Sequence, residues 1–398
     1  MLPRRGPASG GTAVLTGTPQ TMILSRIRLG NFRNHAATAI ELGGGINAFL
    51  GDNGQGKTNI LEAVSYLSLT KSFYASGDSE AIEIGTGGFD VEGVLVSDAG
   101  VQHQVSVTCA RLPQAKRFLI NGSPPERLAA VIGRFPVVVL SPEKGPITFG
   151  GPGERRKFMD LALSQVSGAY LEEILEYRKA LRQRNRILTN NRAKGFLPPG
   201  VIEPWTESLV AYGSRVAHRR AMFVTDLRSH IVSAYRTIMP EAETPDIAYV
   251  CGFAAGEGAD ARAYAASLSA DLETRSTEER RRGLTLAGPH RDDLLLTING
   301  MNVQRFASHG QHKTLLVAMK IAEYSYMQER HNETPMLLLD DVFSELDKGR
   351  VHRILSFAAG LGQVMITATE GTVFGSSIAW GRQNRRFIVE RGTCRQET

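Results

Sequence analysis

Short apolar blocks and longer stretches of helical spacing alternate along this chain. Strands are predicted where apolar residues alternate with polar ones or form short unbroken runs. In the first third these runs lie at 23–29, 38–42, 45–50, 91–96, 101–107, 116–120 and 136–140, with a helical stretch at 59–70. The pattern predicts an α/β sheet joined to an antiparallel β lobe.

The middle of the chain has the apolar period of helices, and the last third returns to strands. Residues 154–192 and 203–238 are each predicted to be helical, and the Ala- and Gly-rich segment 256–276 is predicted to end this block. Later strands are predicted at 283–287, 294–298, 336–339, 363–369 and 386–390, with a helix at 311–328. Residues 1–21 are rich in Gly, Pro and Thr, which predicts a disordered extension or a start codon assigned too early.

A phosphate-binding pattern, G-x-x-x-x-G-K-T, stands between the predicted strand 45–50 and the predicted helix 59–70. Its residues are Gly51, Asp52, Asn53, Gly54, Gln55, Gly56, Lys57 and Thr58. Glycines let the backbone curl so that its N–H groups point at phosphate oxygens. In such a loop Lys57 reaches the β- and γ-phosphates, and the Thr58 hydroxyl is a ligand for Mg²⁺. The chain is therefore predicted to bind ATP with Mg²⁺.

A second element of the nucleotide site is predicted at the end of the apolar run 336–339. Asp340 follows this run and is predicted to hold the magnesium shell. Asp341 comes next and is the candidate catalytic base that orients or deprotonates the attacking water.

The formal charge of +6 is concentrated in the helical block. Residues 153–230 contain 14 Lys and Arg against eight Asp and Glu, a surplus equal to that of the whole chain. A solvated helical surface is one explanation of such a run. The spacing of Arg178, Arg182 and Arg186 puts them on one helix face, which favours a surface that contacts DNA phosphates. No base-reading motif is visible, so the predicted DNA binding is sequence-independent.

Composition excludes several classes of protein. The three cysteines lie far apart, which argues against a disulfide framework or a zinc site and favours the cytoplasm. No apolar run approaches the roughly 20 residues that a membrane helix needs, so no membrane partner is predicted.

Two short segments around the Asp pair narrow the class of ATPase. Ser308-His309-Gly310-Gln311 opens a predicted helix, and Ser344-Glu345-Leu346-Asp347 follows the Asp pair. Together with the P-loop they resemble the ATP-binding-cassette (ABC) ATPases. The resemblance implies that Ser308, Gly310, Gln311 and Asp347 act across a dimer that sandwiches ATP. Three departures from the ATPase heads of transporters imply slow hydrolysis. The signature segment Ser308-His309-Gly310-Gln311 corresponds to the transporter motif L-S-G-G-Q, from which it differs at Ala307 and His309. In addition, residues 366–370 lack the usual histidine, and Asp341 replaces the usual glutamate.

Several further segments resemble the RecF family of bacterial recombination mediators, from about Met22 to the last residue. They are 29–34, Ser141-Pro142-Glu143, 151–160, Gln183-Arg184-Asn185, Gly288-Pro289-His290-Arg291-Asp292-Asp293 and 339–347. The resemblance implies an ABC-type head split into parts 22–145 and 281–398, with a helical insertion at 146–280. It also implies an ATP-driven homodimeric clamp on single-stranded or gapped DNA, with weak ATPase activity. RecR and RecO type partners, RecA loading, fork repair and SOS induction belong to the same expectation.

Some alternatives stay open at this stage. An energy-coupling ATPase subunit of a transporter is the main rival, although its signature would be fuller and it would not need a basic helical block. A nuclease would need additional metal ligands, which the sequence does not offer. His290 and Arg291 fit either a structural turn or an interface with nucleotide or DNA. Asp292-Asp293 could equally cap the turn into the following strand. Arg33 and Asn34 are candidates to approach the nucleotide.

Overall fold

The computed structural model describes residues 21–75, 77–141, 147–192, 200–239, 243–253, 256, 258–344, 346–375 and 378–397. The predicted extension up to residue 20, Pro142 and Glu143, the break at Pro198-Pro199, and Glu345 lie outside these residues.

Strands in the described part of the chain belong to three sheets. They are β1 (Ile23–Phe32), β2 (His35–Glu41), β3 (Ile46–Leu50), β4 (Gly88–Val96), β5 (Gln102–Ala110), β6 (Ala115–Ile120), β7 (Val137–Leu140), β8 (Pro245–Val250), β9 (Asp293–Ile298), β10 (Met301–Asn302), β11 (Met336–Leu339), β12 (Val364–Ala368), β13 (Arg385–Glu390) and β14 (Thr393–Glu397). The helices are α1 (Lys57–Leu69), α2 (Pro152–Val166), α3 (Gly168–Arg192), α4 (Glu203–Ile238), α5 (Ala261–Thr274), α6 (Ser276–Arg282), α7 (Val303–Phe306), α8 (His309–Arg330) and α9 (Lys348–Ala358).

The central sheet has the strand order β14-β13-β3-β12-β11-β7. All its neighbours are parallel except β14, which pairs antiparallel with β13. Every residue of β3, β11 and β12 is buried, as expected for parallel strands that are covered on both faces. Because β3, β12 and β11 run parallel, the P-loop and Asp340 leave the sheet at the same carboxyl edge, with β12 between them.

Helix α1 lies between this sheet and an antiparallel lobe with the order β2-β1-β4-β5-β6. Ile60, Val64 and Leu67 of the helix share one apolar cluster with Leu24 and Ile27 of β1. Strand residues from the central sheet belong to the same cluster. The lobe is thus attached to the head through the helix that carries the P-loop lysine.

The opposite face of the central sheet is continuous with the helical part of the chain. Leu140, Leu337 and Ile366 of the sheet belong to one apolar cluster with side chains of α2, α3, α4 and α8. The four helices therefore pack as an extension of the head's own core. The α/β fold class predicted from the sequence is confirmed.

Four local expectations differ from the structure. The run 154–192 is divided at Ser167, and α5 forms inside the segment expected to end the helical block. Strand β8 was not anticipated; it pairs with β9 across the predicted boundary at residue 280. The strand predicted at 283–287 is wrong because side chains take its backbone N–H groups. Asn185 accepts from Thr285 at 2.8 Å, and Glu279 accepts from Leu286 at 2.7 Å.

Candidate functional site

The P-loop follows the buried strand β3, and α1 begins directly after it at Lys57. Its backbone has positive φ at Gly51 (149°), Gly54 (78°) and Gly56 (111°), a region that favours glycine. A β-carbon at Gly51 would lie 2.3 Å from the Val389 carbonyl oxygen, so no side chain fits there. The exposed part of the loop consists of Asp52, Asn53 and Gly54.

The Lys57 ammonium lies against the backbone of this loop. Its Nζ donates to the carbonyl oxygens of Gly51 at 2.5 Å and Asp52 at 2.7 Å. Burial lowers the pKa of Lys57, while the nearby carboxylates of Asp341 and Asp340 act to raise it. The side chain predicted to reach phosphate therefore places its charge within the loop.

The buried carboxylate of Asp340 gathers three hydroxyl groups. Its Oδ1 accepts from Thr58 Oγ1 and from Thr367 Oγ1, both at 2.8 Å. Its Oδ2 accepts from Ser141 Oγ at 3.3 Å. The two predicted metal ligands, Thr58 and Asp340, are thus in direct contact although they are 282 positions apart in the sequence. A hydroxyl and a carboxylate side by side are the hard oxygen donors that Mg²⁺ prefers, so these residues fit the ion.

Asp341 lies beside this group but has a different environment. Its side chain is exposed, and its backbone has a positive φ of 46°. The backbone N–H donates to Thr367 Oγ1 at 2.8 Å, and the carbonyl accepts from Ser344 Oγ at 3.0 Å. The candidate base is therefore fixed by its backbone while its carboxylate is open to solvent.

Two turns outside the motif support the P-loop. From the β1–β2 turn, Asn34 Nδ2 donates to the Gln55 carbonyl at 3.0 Å, and His35 Nε2 lies 3.0 Å from the Gly56 carbonyl. From the β13–β14 turn, the Gly392 N–H donates to the same Gln55 carbonyl at 3.0 Å. Burial lowers the pKa of His35, which favours its neutral form. The side chain of Asn34 thus contacts the backbone of the nucleotide loop.

Arg33 is held differently from its neighbour Asn34. Its Nε and Nη2 donate to the two carboxylate oxygens of Glu62, each at 2.9 Å. Glu62 is fully buried in α1. This paired geometry fixes Arg33 to the P-loop helix.

The signature segment caps helix α8. Ser308 Oγ accepts from the Gln311 N–H at 3.3 Å, and Gln311 Oε1 accepts from the Ser308 N–H at 2.7 Å, which makes a reciprocal capping box. Because the Ser308 oxygen acts as an acceptor in this box, its hydroxyl hydrogen remains available to donate elsewhere. Both ends of the Gln311 amide are engaged, since its Nε2 donates to Glu243 Oε1 at 2.8 Å.

Arg350 links the signature helix to the segment around Asp347. Asp347 is the exposed N-cap of α9, and the Arg350 N–H donates to its Oδ1 at 3.0 Å. This backbone bond lowers the pKa of Asp347. The Arg350 Nη1 donates to Thr314 Oγ1 at 3.0 Å, and the Thr314 hydroxyl donates to the Gly310 carbonyl at 2.8 Å. The candidate residues Gly310 and Asp347 are therefore connected within one chain.

The family-like segment at 288–293 surrounds a buried ionic cluster. Arg220 is 2% exposed, and it donates to Asp160 Oδ1 at 2.8 Å and to Asp292 Oδ2 at 2.7 Å. Burial alone would lower the pKa of Arg220, but Tyr170 and the two aspartates raise it well above its ordinary value. The guanidinium therefore stays charged. This cluster joins α2, α4 and the turn at 289–291.

His290 belongs to the same turn. Its Nδ1 lies 2.6 Å from the Tyr177 hydroxyl, and its Nε2 lies 3.1 Å from the Thr285 carbonyl. Burial lowers the pKa of His290 to about 4. Of the two alternatives left open, a structural turn is the one that these contacts favour.

The three arginines predicted to contact DNA are all exposed on α3. Arg178 also donates to Asp160 Oδ2 at 2.8 Å. Other arginines of the same block are not surface charges: Arg184 pairs with Glu279, and Arg155 pairs with Asp293. The basic surplus of the block is therefore partly neutralised inside the fold, which leaves Arg182 and Arg186 as the clearest candidates.

Sequence reasoning missed several residues that position the site. Thr367 lies on a predicted strand, so its place beside Asp340 follows only from strand order. Glu243, Arg350 and Gly392 lie outside the motifs, and Arg220 is one of five arginines in α4, with nothing local to set it apart. Only their tertiary contacts identify them.

Comparison with known proteins agrees with this architecture. The model of the RecF/RecN/SMC N-terminal domain matches residues 23–379. The chain is 41% identical over 352 residues to "DNA replication and repair protein RecF" of Salinibacter ruber, which covers 87% of this chain and 85% of that protein. The chain belongs to the RecF family.

Other relatives of this RecF-family chain extend the similarity. It is 40% identical over 353 residues to the RecF protein of Chloroherpeton thalassium, covering 88% of this chain and 95% of the relative. A solved structure of "the recombination mediator protein RecF-ATP in RecFOR pathway" superposes with a TM-score of 0.87 at 29% identity, over 96% of this chain and 100% of that one.

More distant structures share the fold alone. The Smc head domain of Pyrococcus furiosus superposes on this RecF-family chain with a TM-score of 0.54 at 12% identity, over 94% of this chain and 96% of that one. The expected ABC-type head is thus confirmed, as is the resemblance to RecF. None of the helices in the described part of the chain has the length and apolar character needed to span a bilayer.

Proposed function

We propose that this protein is an ATP-dependent, DNA-binding recombination mediator that works as a nucleotide-controlled clamp. The contact of Thr58 with Asp340 at 2.8 Å is the observation that supports this most directly, because it unites the P-loop with a carboxylate of another strand. The solved RecF-ATP structure, which is similar over nearly the whole chain, supports ATP as the nucleotide.

Each part of the site has a defined task in this proposal. The P-loop N–H groups and Lys57 bind the phosphates, and Thr58 and Asp340 hold Mg²⁺. An ion held there would neutralise charge on the phosphates of the nucleotide. Asp341, with its carboxylate open to solvent, orients and deprotonates the attacking water. Hydrolysis is weak and serves as a switch.

Dimer formation completes the site. Ser308, at the N-terminus of α8, donates its hydroxyl to the γ-phosphate held by a second copy of the chain. The α8 N-terminus favours an anion at that position because its N–H groups and dipole are positive there. Gly310 and Asp347 line the same contact, and hydrolysis separates the two copies.

DNA and protein partners belong to the same proposal. Arg178, Arg182 and Arg186 contact the phosphates of single-stranded or gapped DNA, so affinity falls with salt. The protein acts in the cytoplasm with RecR and RecO type proteins to support RecA loading, fork repair and SOS induction. The head parts 22–145 and 281–398 form the clamp, and the insertion 146–280 provides the DNA surface.

Light scattering of the wild type and of Ser308→Arg, with and without MgATP and gapped DNA, tests the clamp. We expect ATP-dependent dimers in the wild type and monomers in the variant, because an arginine at the helix cap blocks the approach of the second P-loop. ATP binding to the monomer is expected to persist in Ser308→Arg, since that site uses the chain's own P-loop.

Ser269→Arg is the matched control, because Ser269 is exposed in the middle of α5. It is expected to dimerise like the wild type. A wild type that stays monomeric with MgATP and DNA together would exclude the clamp.

A further inference from the structure

Glu243 stands between the signature segment and the end of the longest helix in the described part of the chain. Its Oε1 accepts from Gln311 Nε2 at 2.8 Å, and its Oε2 accepts from the hydroxyl of Tyr235. Tyr235 is fully buried in the last turns of α4, which packs along α8. One carboxylate therefore joins the signature cap to a rigid, buried side chain.

This contact decides how the Gln311 amide is oriented. A capping-box glutamine must point its oxygen at the cap residue's N–H, and here Gln311 Oε1 accepts from the Ser308 N–H. A carboxylate only accepts, so Glu243 bonds the NH₂ end of the amide and excludes the flipped arrangement. The bond to Glu243 is also charge-assisted, which makes it stronger than a neutral one.

The orientation of Gln311 in turn controls Ser308. The reciprocal bonds fix the Ser308 backbone and keep its Oγ as the acceptor of the Gln311 N–H. The hydroxyl hydrogen is then left free to donate to another group. If the amide of Gln311 turned over, the Ser308 N–H would face an NH₂ group and the cap would open.

The same end of α4 is also tied to α9. Arg353 Nε donates to the carbonyl of Ile238, the last residue of α4, at 2.7 Å. Arg350 on the same helix reaches Thr314 of α8. The end of α4, the signature helix and the helix capped by Asp347 are therefore held as one unit, with Glu243 at the signature.

We propose that Glu243 is a positioning residue for the signature segment: through Gln311 it keeps the Ser308 hydroxyl aligned for the phosphate of ATP bound to a second copy. This inference rests on the clamp proposed above. Glu243 itself need not touch the nucleotide, so its loss should weaken dimer closure without weakening ATP binding by the monomer.

Glu243→Ala tests the role against three readouts: ATP-dependent dimerisation, MgATP affinity of the monomer, and hydrogen exchange of the Ser308 and Gln311 amides. We expect the dissociation constant of the ATP-dependent dimer to rise by about tenfold or more, which is the change expected when a charge-assisted hydrogen bond is lost. Monomer ATP affinity should stay unchanged, and both amides should exchange faster because the cap opens.

Two further variants separate positioning from general damage. Glu243→Gln keeps a carbonyl acceptor for Gln311 and is expected to recover most of the dimerisation. Tyr235→Phe keeps the packing and removes only its hydroxyl, so its effect should be smaller than that of Glu243→Ala. Glu278→Ala is the matched control, because Glu278 forms ion pairs with Arg281 and Arg282 of its own helix, α6.

The outcomes distinguish this inference from the clamp itself. If Glu243→Ala dimerises as strongly as the wild type and its amides exchange at unchanged rates, the positioning role is overturned and the clamp remains intact. Absence of ATP-dependent dimers in the wild type would overturn the clamp. In that case slower or unchanged exchange at Ser308 in Glu243→Ala would also remove the structural part of the inference, whereas faster exchange would sustain it.

Discussion

Single residues of this protein gain their roles from partners that lie far away in the sequence. Asp340 is surrounded by hydroxyls from positions 58, 141 and 367, and Arg220 joins Asp160 to Asp292. Such groups are stable only together, because an unpaired buried charge is costly. The segment 288–293 contributes to packing of this kind, because Asp292 is one of the two aspartates.

Arg220→Met is expected to destabilise the protein by about 3–5 kcal/mol, since it leaves the buried Asp292 without its ion-pair partner and Asp160 with only the more exposed Arg178. Chemical denaturation monitored by circular dichroism measures the change. Arg182→Met, at an exposed position of α3, is the control and should change stability by about 0.5 kcal/mol or less. Equal stability of the two variants would contradict the structural role of the cluster.

His290 makes stability depend on pH. Its folded pKa is about 4, against about 6.5 in an unfolded chain, so the unfolded state binds the proton first as pH falls. Its contribution is fully present above about pH 6.5 and is lost as pH falls toward 4. We expect this histidine to account for about 2 kcal/mol of lost stability between pH 7 and pH 5.

Urea unfolding at several pH values tests this with His290→Gln, which should show a shallower loss than the wild type. His352→Gln, at an exposed position of α9, is the control. The same pH slope in all three proteins would count against the buried neutral imidazole.

At the scale of elements, the P-loop depends on turns that lie outside its motif. The β13–β14 turn approaches so closely that a β-carbon at Gly392 would lie 1.8 Å from the Asn34 carbonyl oxygen. Gly392 also has a positive φ of 73°. The β13–β14 hairpin therefore supports the nucleotide loop through the bond from the Gly392 N–H to the Gln55 carbonyl.

Gly392→Ala is expected to lower ATP affinity by about tenfold or more, because the clash displaces the turn that bonds Gln55. Equilibrium binding of a fluorescent ATP analogue measures this. Gly122→Ala is the matched control: its φ is 78°, but a β-carbon there meets nothing within 4 Å. It should cost about 1 kcal/mol of stability and leave ATP affinity intact.

At the scale of the whole molecule, the positive charge of the helical block is divided between the interior and the surface. The block carries the formal surplus, but Arg155, Arg184 and Arg220 form ion pairs inside the fold. Net charge alone therefore overstates the basic surface. Apart from Arg184, the arginines of α3 are exposed, and so are Lys157 of α2 and Arg215 and Arg228 of α4.

The double variant Arg182→Ala/Arg186→Ala is expected to reduce the salt dependence of single-stranded DNA binding by about 1.5 in the slope of log K against log salt. Fluorescence anisotropy over a salt series gives this slope. The double control Arg111→Ala/Arg395→Ala removes two exposed arginines outside the helical block and should leave the slope unchanged. Identical slopes for both doubles would argue that DNA binds elsewhere.

The sequence alone determined the features that arise from neighbouring residues. The P-loop, the long helices, the apolar strands and the Asp pair are all local patterns, because hydrogen-bond geometry and side-chain period act over a few residues. The strand predicted at 283–287 is wrong because side chains bond two of its backbone N–H groups: Asn185, 100 residues away, accepts from Thr285, and Glu279 of the preceding helix accepts from Leu286.

Only the tertiary structure decided which distant residues meet. Strand order brought Thr58, Thr367 and Asp340 together, and helix packing buried Arg220 and placed Glu243 beside the signature cap. Such contacts depend on how whole elements pack, and a single sequence carries no local mark of them. The candidate residues of the site were therefore visible in the sequence, whereas the contacts that position them were not.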